Sequence, residues 1–479
     1  MRRPAALLCS LALLTAVGAG TTPAVAVTAD GGARAGAPGI GDPYFPLDGN
    51  GGIDVLHYSV HDRYDFERKR LAGRTRLTVR ATEHLSSFSL DFLLDARRVT
   101  VDGRPADYRK PTRHELRITP RRTLPAGRTF TVVVRYAGSP ARIGYLGERN
   151  WLANDHEVVT MNQPHMAPWW YPANDHPLDK ATHDFHITVP QGRTVVANGL
   201  LRGSRRHGDL VTWHWRATDP MVPYLAFFAA GDFRIAQGRR DGVPWVVAAS
   251  NQLPGNGPQV AMRWLRRTPA ITSWLQSELG DYPFESTGGL VTSLSPGFAL
   301  ENQTRPTYPY VGASATWLLV HELAHQWLGD SVAVTGWRDI WLNEGFATYF
   351  EVRYAETHGG QSGLSWLRRT YEQYSPGESF WQVPVADPGP RRIFDNAVYE
   401  RGAMTLQALR VVIGDQDFST LLRTWAHRYQ GGNASTEDFR ALAQEISGRD
   451  LTAFFDAWLV ATQRPADTVA NGLGTTPQP

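Results

Sequence analysis

The chain has 479 residues, 42% of them hydrophobic, a formal net charge of +3 and a single cysteine, Cys9. That length exceeds what one hydrophobic core usually supports, so two domains are expected. The near balance of charge gives no argument for nucleic acid or an anionic membrane as partner, and one cysteine close to the N-terminus excludes a disulfide framework.

Met1-Arg2-Arg3, an apolar stretch from about Ala5 to Ala16 and then Ala24-Val25-Ala26 form the three parts of a secretory signal peptide, residues 1–26, with cleavage expected after Ala26. The apolar stretch falls short of the roughly 20 residues that span a bilayer, and Leu8 before Cys9 argues against a lipoprotein site. Cleavage would remove the only thiol, and with it any cysteine catalysis, and would take the formal charge from +3 to +1, because Arg2 and Arg3 are the only charged residues before position 27. The expected product is secreted. Residues 27–47 are rich in Gly, Ala and Pro and read as a flexible leader.

From 48 to 231, short alternating segments recur between turn signals: Thr75, Leu77 and Val79; Phe130, Val132, Val134 and Tyr136; Phe185, Ile187 and Val189. This period of two predicts an antiparallel β domain. A second domain is expected over 232–465, and after about position 260 the pattern turns helical, with runs over Met262 to Leu279, Trp341 to His358, Ala403 to Ile413 and Glu437 to Leu459. Residues 466–479 read as a disordered tail. The fold class is therefore α+β, and no internal repeat is visible.

The chemistry is concentrated in His321-Glu322-Leu323-Ala324-His325. On a helix, residues four apart share a face, so His321 and His325 can present two imidazoles to one metal. The apolar run Thr316 to Val320 predicts that this helix enters the core. A catalytic zinc takes three protein ligands and leaves one position to water. Glu344 is the candidate third ligand, on a second helix that Gly359-Gly360 should stop. Two imidazoles and one carboxylate suit zinc, one per chain. Glu322, beside a ligand without being one, can take a proton from the attacking water and return it to the leaving amine. Thr348, one turn after Glu344, either orients that ligand or satisfies its own helix backbone. His165, His186 and His214 read as packing or surface residues.

These segments resemble the gluzincin zinc aminopeptidases, the family that includes aminopeptidase N and leukotriene hydrolase, in a short secreted form. His321 to Trp327 and Trp341 to Ala347 are similar to its two zinc segments, and Phe298-Ala299-Leu300-Glu301-Asn302 to its G-A-M-E-N segment. The resemblance implies an N-terminal β-sandwich-like domain followed by a thermolysin-like, mostly helical catalytic domain. It implies that Glu301, with Ala299 and Asn302, receives the substrate's free amine, that Gln163 accepts a further hydrogen bond from it, and that Tyr399 is a catalytic tyrosine. Tyr171 to Pro177 is similar to a conserved stretch of the β domain. Phe298 stands where the family pattern has glycine. Larger members continue into a long helical domain, so a more open entrance, tolerant of longer peptides, is expected here. The implied activity is removal of N-terminal residues from peptides by a monomer, without nucleic acid or membrane. An endopeptidase or epoxide hydrolase using the same zinc, or an inactive peptide-binding relative, are the alternatives.

Overall fold

The computed structural model describes residues 32–474, so the expected signal peptide lies outside the described residues. The N-terminal half is built on an eight-stranded sheet whose centre comprises Ile53–Asp65, Arg70–Ala81, Thr129–Gly138 and Ala181–Pro190. Alternation explains their placement: Tyr58, Val60, Leu77, Val79, Val132, Val134, Phe185 and Ile187 all point into the core. Most pairs are antiparallel, as expected, but Ala181–Pro190 runs parallel to Ile53–Asp65, with Phe185 opposite Val60. Two four-stranded sheets complete this half, one of them containing Leu85–Asp91 and Glu115–Thr119, the other with Phe228–Gly231 as an inner strand.

The second half opens with strands. Phe233–Arg240, Val243–Ser250, Thr287–Val291 and Thr307–Tyr308 form a further four-stranded sheet. Helices α1 (Gly257–Leu265), α2 (Thr268–Leu279), α3 (Thr316–Ala324), α4 (Trp341–Thr357), α5 (Gly363–Gln373), α6 (Asn396–Ile413), α7 (Asp415–Arg428) and α8 (Thr436–Ser447) follow. The run expected over Met262 to Leu279 is two helices, because Pro269 sits in the first turn of α2 and favours a fresh start there. The run expected over Glu437 to Leu459 also divides: Ser435 and Asp438 form a capping box at the head of α8, and Gly448, in the left-handed region at φ 64, closes it.

Two expectations of disorder fail. Within the expected leader, Arg34 donates its backbone N–H to His84, and Arg34–Ala35 pairs with Leu85–Asp91. Asp42 is buried and accepts from the backbone N–H of Trp337 at 2.9 Å, which ties the leader to the helical half. Within the expected tail, Leu473 is buried, and Trp458 Nε1 donates to the carbonyl of Asn471 at 3.2 Å. The halves are also joined by Lys180, whose ammonium donates to the carbonyls of Asp330, Ser331 and Gly432.

Candidate metal centre and cleft

Helix α3 delivers His321 and Glu322 and ends at Ala324, with His325 as its still-helical cap. Helix α4 crosses it and brings Glu344 to the same point. His321 Nε2 lies 3.4 Å and His325 Nε2 3.5 Å from Glu344 Oε2. The remaining nitrogens are engaged: His321 Nδ1 faces Glu351 Oε1 at 2.7 Å, and His325 Nδ1 the carbonyl of Leu328 at 3.2 Å. Those acceptors fix each ring through Nδ1 and aim each Nε2 at the point it shares with Glu344. Three buried ligand atoms within 4.8 Å of one another make this set fit a divalent cation.

The cleft over this centre has a volume of about 450 Å³, and its lining includes Gln163, Ala299, Glu301, Glu322, Thr348 and Tyr399. The first turn of α3 does not enter the core as expected. Trp317 is 54% exposed at the cleft, because the helix runs inward from its rim. Phe298 also lines the cleft, and the left-handed backbone falls on Gly297, at φ 89, instead of on Phe298. The Tyr399 ring lies nearly parallel to that of His321, with centroids 6.1 Å apart.

Glu301 is held from both halves. Gln163 Nε2 donates to its Oε1 at 3.1 Å and the Tyr224 hydroxyl at 2.8 Å, while Gln326 Nε2 holds its backbone carbonyl at 2.9 Å. The amide of Gln163 therefore donates to Glu301 and leaves its own oxygen as the acceptor. Asn302 departs from the expectation: it is fully buried, donates to the carbonyl of Leu225 at 3.1 Å and does not line the cleft. Tyr224 and Glu351 escape a sequence reading. Tyr224 looks like any core aromatic, whereas Glu351, two turns after Glu344 on one helix face, carried a signal in its spacing.

Burial pushes the Glu322 carboxyl up to about 8, against the pull of His321 and His325. Burial would raise Glu344 as well, but His325 and His321 overcome it and hold the carboxyl at about 2. Glu301 is raised by burial. The Tyr399 phenol is raised by burial and then by Glu344, Glu301 and Glu322, so it stays a hydrogen-bond donor. Closely placed carboxylates with affinities pushed this far apart are the mark of an acid–base site.

A β-rich half followed by a helical half, meeting at two histidines and a glutamate with a free carboxylate alongside, define the class as a metallopeptidase of the H-E-x-x-H type. Residues 310–458 match the Peptidase family M1 domain and residues 55–225 the Peptidase M1 N-terminal domain, and the chain belongs to peptidase family M1. It is similar to aminopeptidase N of Streptomyces lividans, 27% identical over 62% of this chain and 38% of that protein. Aminopeptidase N of Lactococcus lactis subsp. lactis is 24% identical over 84% of this chain and 50% of that protein. The chain thus spans half or less of the length of these two relatives. The M1 zinc metallopeptidase of Deinococcus radiodurans has a TM-score of 0.81 at 28% identity, covering 91% of this chain and all of that one. A mutant of that protein has been solved bound to a Tyr-Ser-Ala substrate.

Proposed function

We propose that this chain is a secreted, monomeric zinc aminopeptidase that hydrolyses the N-terminal residue from peptides. The observation that carries the reading is the placement of Glu301, buried and oriented by Gln163 and Tyr224, in one cleft with His321, His325 and Glu344. One catalytic zinc would be held by those last three residues, and when bound it supplies Lewis acidity and makes water acidic enough to be a nucleophile near neutral pH.

The chain's own residues supply the rest. Glu322 takes the proton from the attacking water at its carboxylate and returns it to the leaving nitrogen. The Tyr399 hydroxyl donates to the carbonyl oxygen of the scissile bond as negative charge develops there. Glu301 and the free Gln163 oxygen hold the substrate ammonium, and a peptide that lacks it leaves a buried carboxylate without its partner. A neighbouring cavity of about 820 Å³ shares Gln163 with the cleft, and its lining mixes apolar side chains such as Phe45, Leu47, Ile393 and Phe394 with the charged Asp48, Glu148, Arg391, Arg392 and Asp395.

Paired fluorogenic amino-acid amides, free or acetylated at the amine, test the reading, with Glu322→Gln as control. Chelator-sensitive cleavage of the free amines alone is expected, and none by the control. Equal cleavage of both forms would make the chain an endopeptidase, and zinc-loaded protein that cleaves neither would make it a peptide-binding relative. Export is supported by the pattern of residues 1–26 and is checked by N-terminal sequencing of the protein recovered from medium, where a start at Val27 is expected.

A further inference from the structure

A second group of buried side chains, none of them in the cleft lining, is arranged as a cation site. Asp91 ends strand Leu85–Asp91, Glu115 begins the antiparallel strand Glu115–Thr119, and the two residues stand opposite each other in register, with His114 adjacent. Asp91, His114 and Glu115 are 0, 1 and 0% exposed. His114 Nδ1 lies 3.6 Å from Asp91 Oδ1 and 3.6 Å from Glu115 Oε1. Both separations are too long for hydrogen bonds. Both ring nitrogens of His114 and both carboxylate oxygens of Glu115 have no hydrogen-bond partner. Buried polar atoms are nearly always paired, so the facing orphans His114 Nδ1 and Glu115 Oε1 call for something between them.

A nearby trio of the same residue types shows what the alternative looks like. His165 sits between Asp48 and Glu148 at 2.7 and 3.1 Å, which are hydrogen-bond distances. The trio around His114 is spread wider, close to the 3.4 and 3.5 Å that separate the ligand atoms at His321, His325 and Glu344. Tetrahedral bonds of about 2.0–2.1 Å to zinc set ligand atoms roughly 3.3–3.4 Å apart. The group is also held in place from outside. Asp91 accepts from Asn50 Nδ2 and from the backbone N–H groups of Gly49 and Asp175, and the Tyr145 ring stacks on His114 with centroids 4.7 Å apart. Partners of this kind orient metal ligands.

We propose that Asp91, His114 and Glu115 bind a second divalent cation of the zinc class, enclosed in the β half as the chain folds. Through Asp91 the ion braces two strands against residues 49–50 and 173–175, the latter inside the segment Tyr171 to Pro177. The site is independent of the activity proposed above. A half-buried alternative is Asp184, His186 and His214, whose ligand atoms also lie within 4.8 Å of one another. There His214 Nε2 is already hydrogen-bonded to Asp184 Oδ1 at 2.6 Å, so two of the three groups satisfy each other.

The test counts metal per chain by elemental mass spectrometry on the full chain, produced with zinc and dialysed against a weak chelator. About two equivalents are expected in the wild type and one in His321→Ala/His325→Ala. Glu115→Gln should lose one equivalent, lower the melting temperature and keep its activity on amino-acid amides. One equivalent in the wild type, none in the double variant, two in folded Glu115→Gln, or loss of the second equivalent on His214→Ala would each overturn the proposal. If Glu115→Gln does not fold, the wild-type and double-variant counts decide.

Discussion

Gly345 and Gly402 meet backbone to backbone: a Cβ on either would stand 2.9 Å from the Cα of the other. The contact lies where α4 and α6 cross, and it joins the helix that carries Glu344 to the helix that carries Tyr399. The separation of Glu344 from the Tyr399 phenol is therefore set by two missing side chains. Because the obstacle is backbone, Gly402→Ala should push the helices apart. A loss of about 1–3 kcal/mol is expected from overpacking, visible as a lower urea midpoint at unchanged m-value, together with a fall in kcat. A variant as stable and active as the wild type would show that the crossing yields without cost.

Glu351 lines the cleft and holds the ring of His321 through Nδ1 at 2.7 Å. Removing such an acceptor frees the ring to rotate and lowers the basicity of the other nitrogen. Glu351→Ala should weaken zinc binding by about 10- to 100-fold, measured by competition with a chromogenic chelator. The cleft should keep its preference for free amines. Unchanged zinc affinity would reduce Glu351 to part of the cleft wall.

Tyr399→Phe keeps the ring beside His321 and removes only the hydroxyl. If that hydroxyl donates to the developing oxyanion, kcat should fall by about 10²-fold, equivalent to roughly 3 kcal/mol, while KM stays nearly constant. Loss of substrate affinity without loss of turnover would contradict the role. The variant should still bind zinc, because Tyr399 is not a ligand.

Local periodicity explains what a reading of the sequence alone could reach. His321 and His325 share a face because the helix repeat places them so, and the alternation of Phe130 to Tyr136 fixes which side chains enter the core. Resemblance supplied Glu301 and Gln163, whose meeting across 138 positions no local pattern encodes. Composition misled at the leader. Gly, Ala and Pro read as a linker, but the order there comes from single distant partners, such as Trp337 for Asp42 and Asp387 for Tyr44. Asn302 misled differently: its neighbour Glu301 faces the cleft, and the turn of the chain between them sends the amide toward Leu225.

Asp62 gives a pH dependence that is separate from the cleft. It is 2% exposed, its Oδ1 accepts from the Tyr136 hydroxyl at 2.7 Å and its Oδ2 has no partner. Burial pushes the carboxyl from 3.8 up to about 8, and the hydrogen bond from Tyr136 only partly opposes it. A carboxyl whose affinity for the proton is higher folded than unfolded stabilises the fold fully below about pH 4, and that contribution is lost as pH rises through about 8. Asp62→Asn keeps an acceptor for Tyr136 and cannot ionise. Its stability relative to the wild type, from urea unfolding, should therefore be nearly level at pH 4 and climb with pH, reaching about 1–3 kcal/mol in favour of the variant at pH 8. Taking the difference removes the other titrating groups, which the two proteins share. Parallel curves between pH 4 and 8 would mean that Asp62 does not titrate in this window.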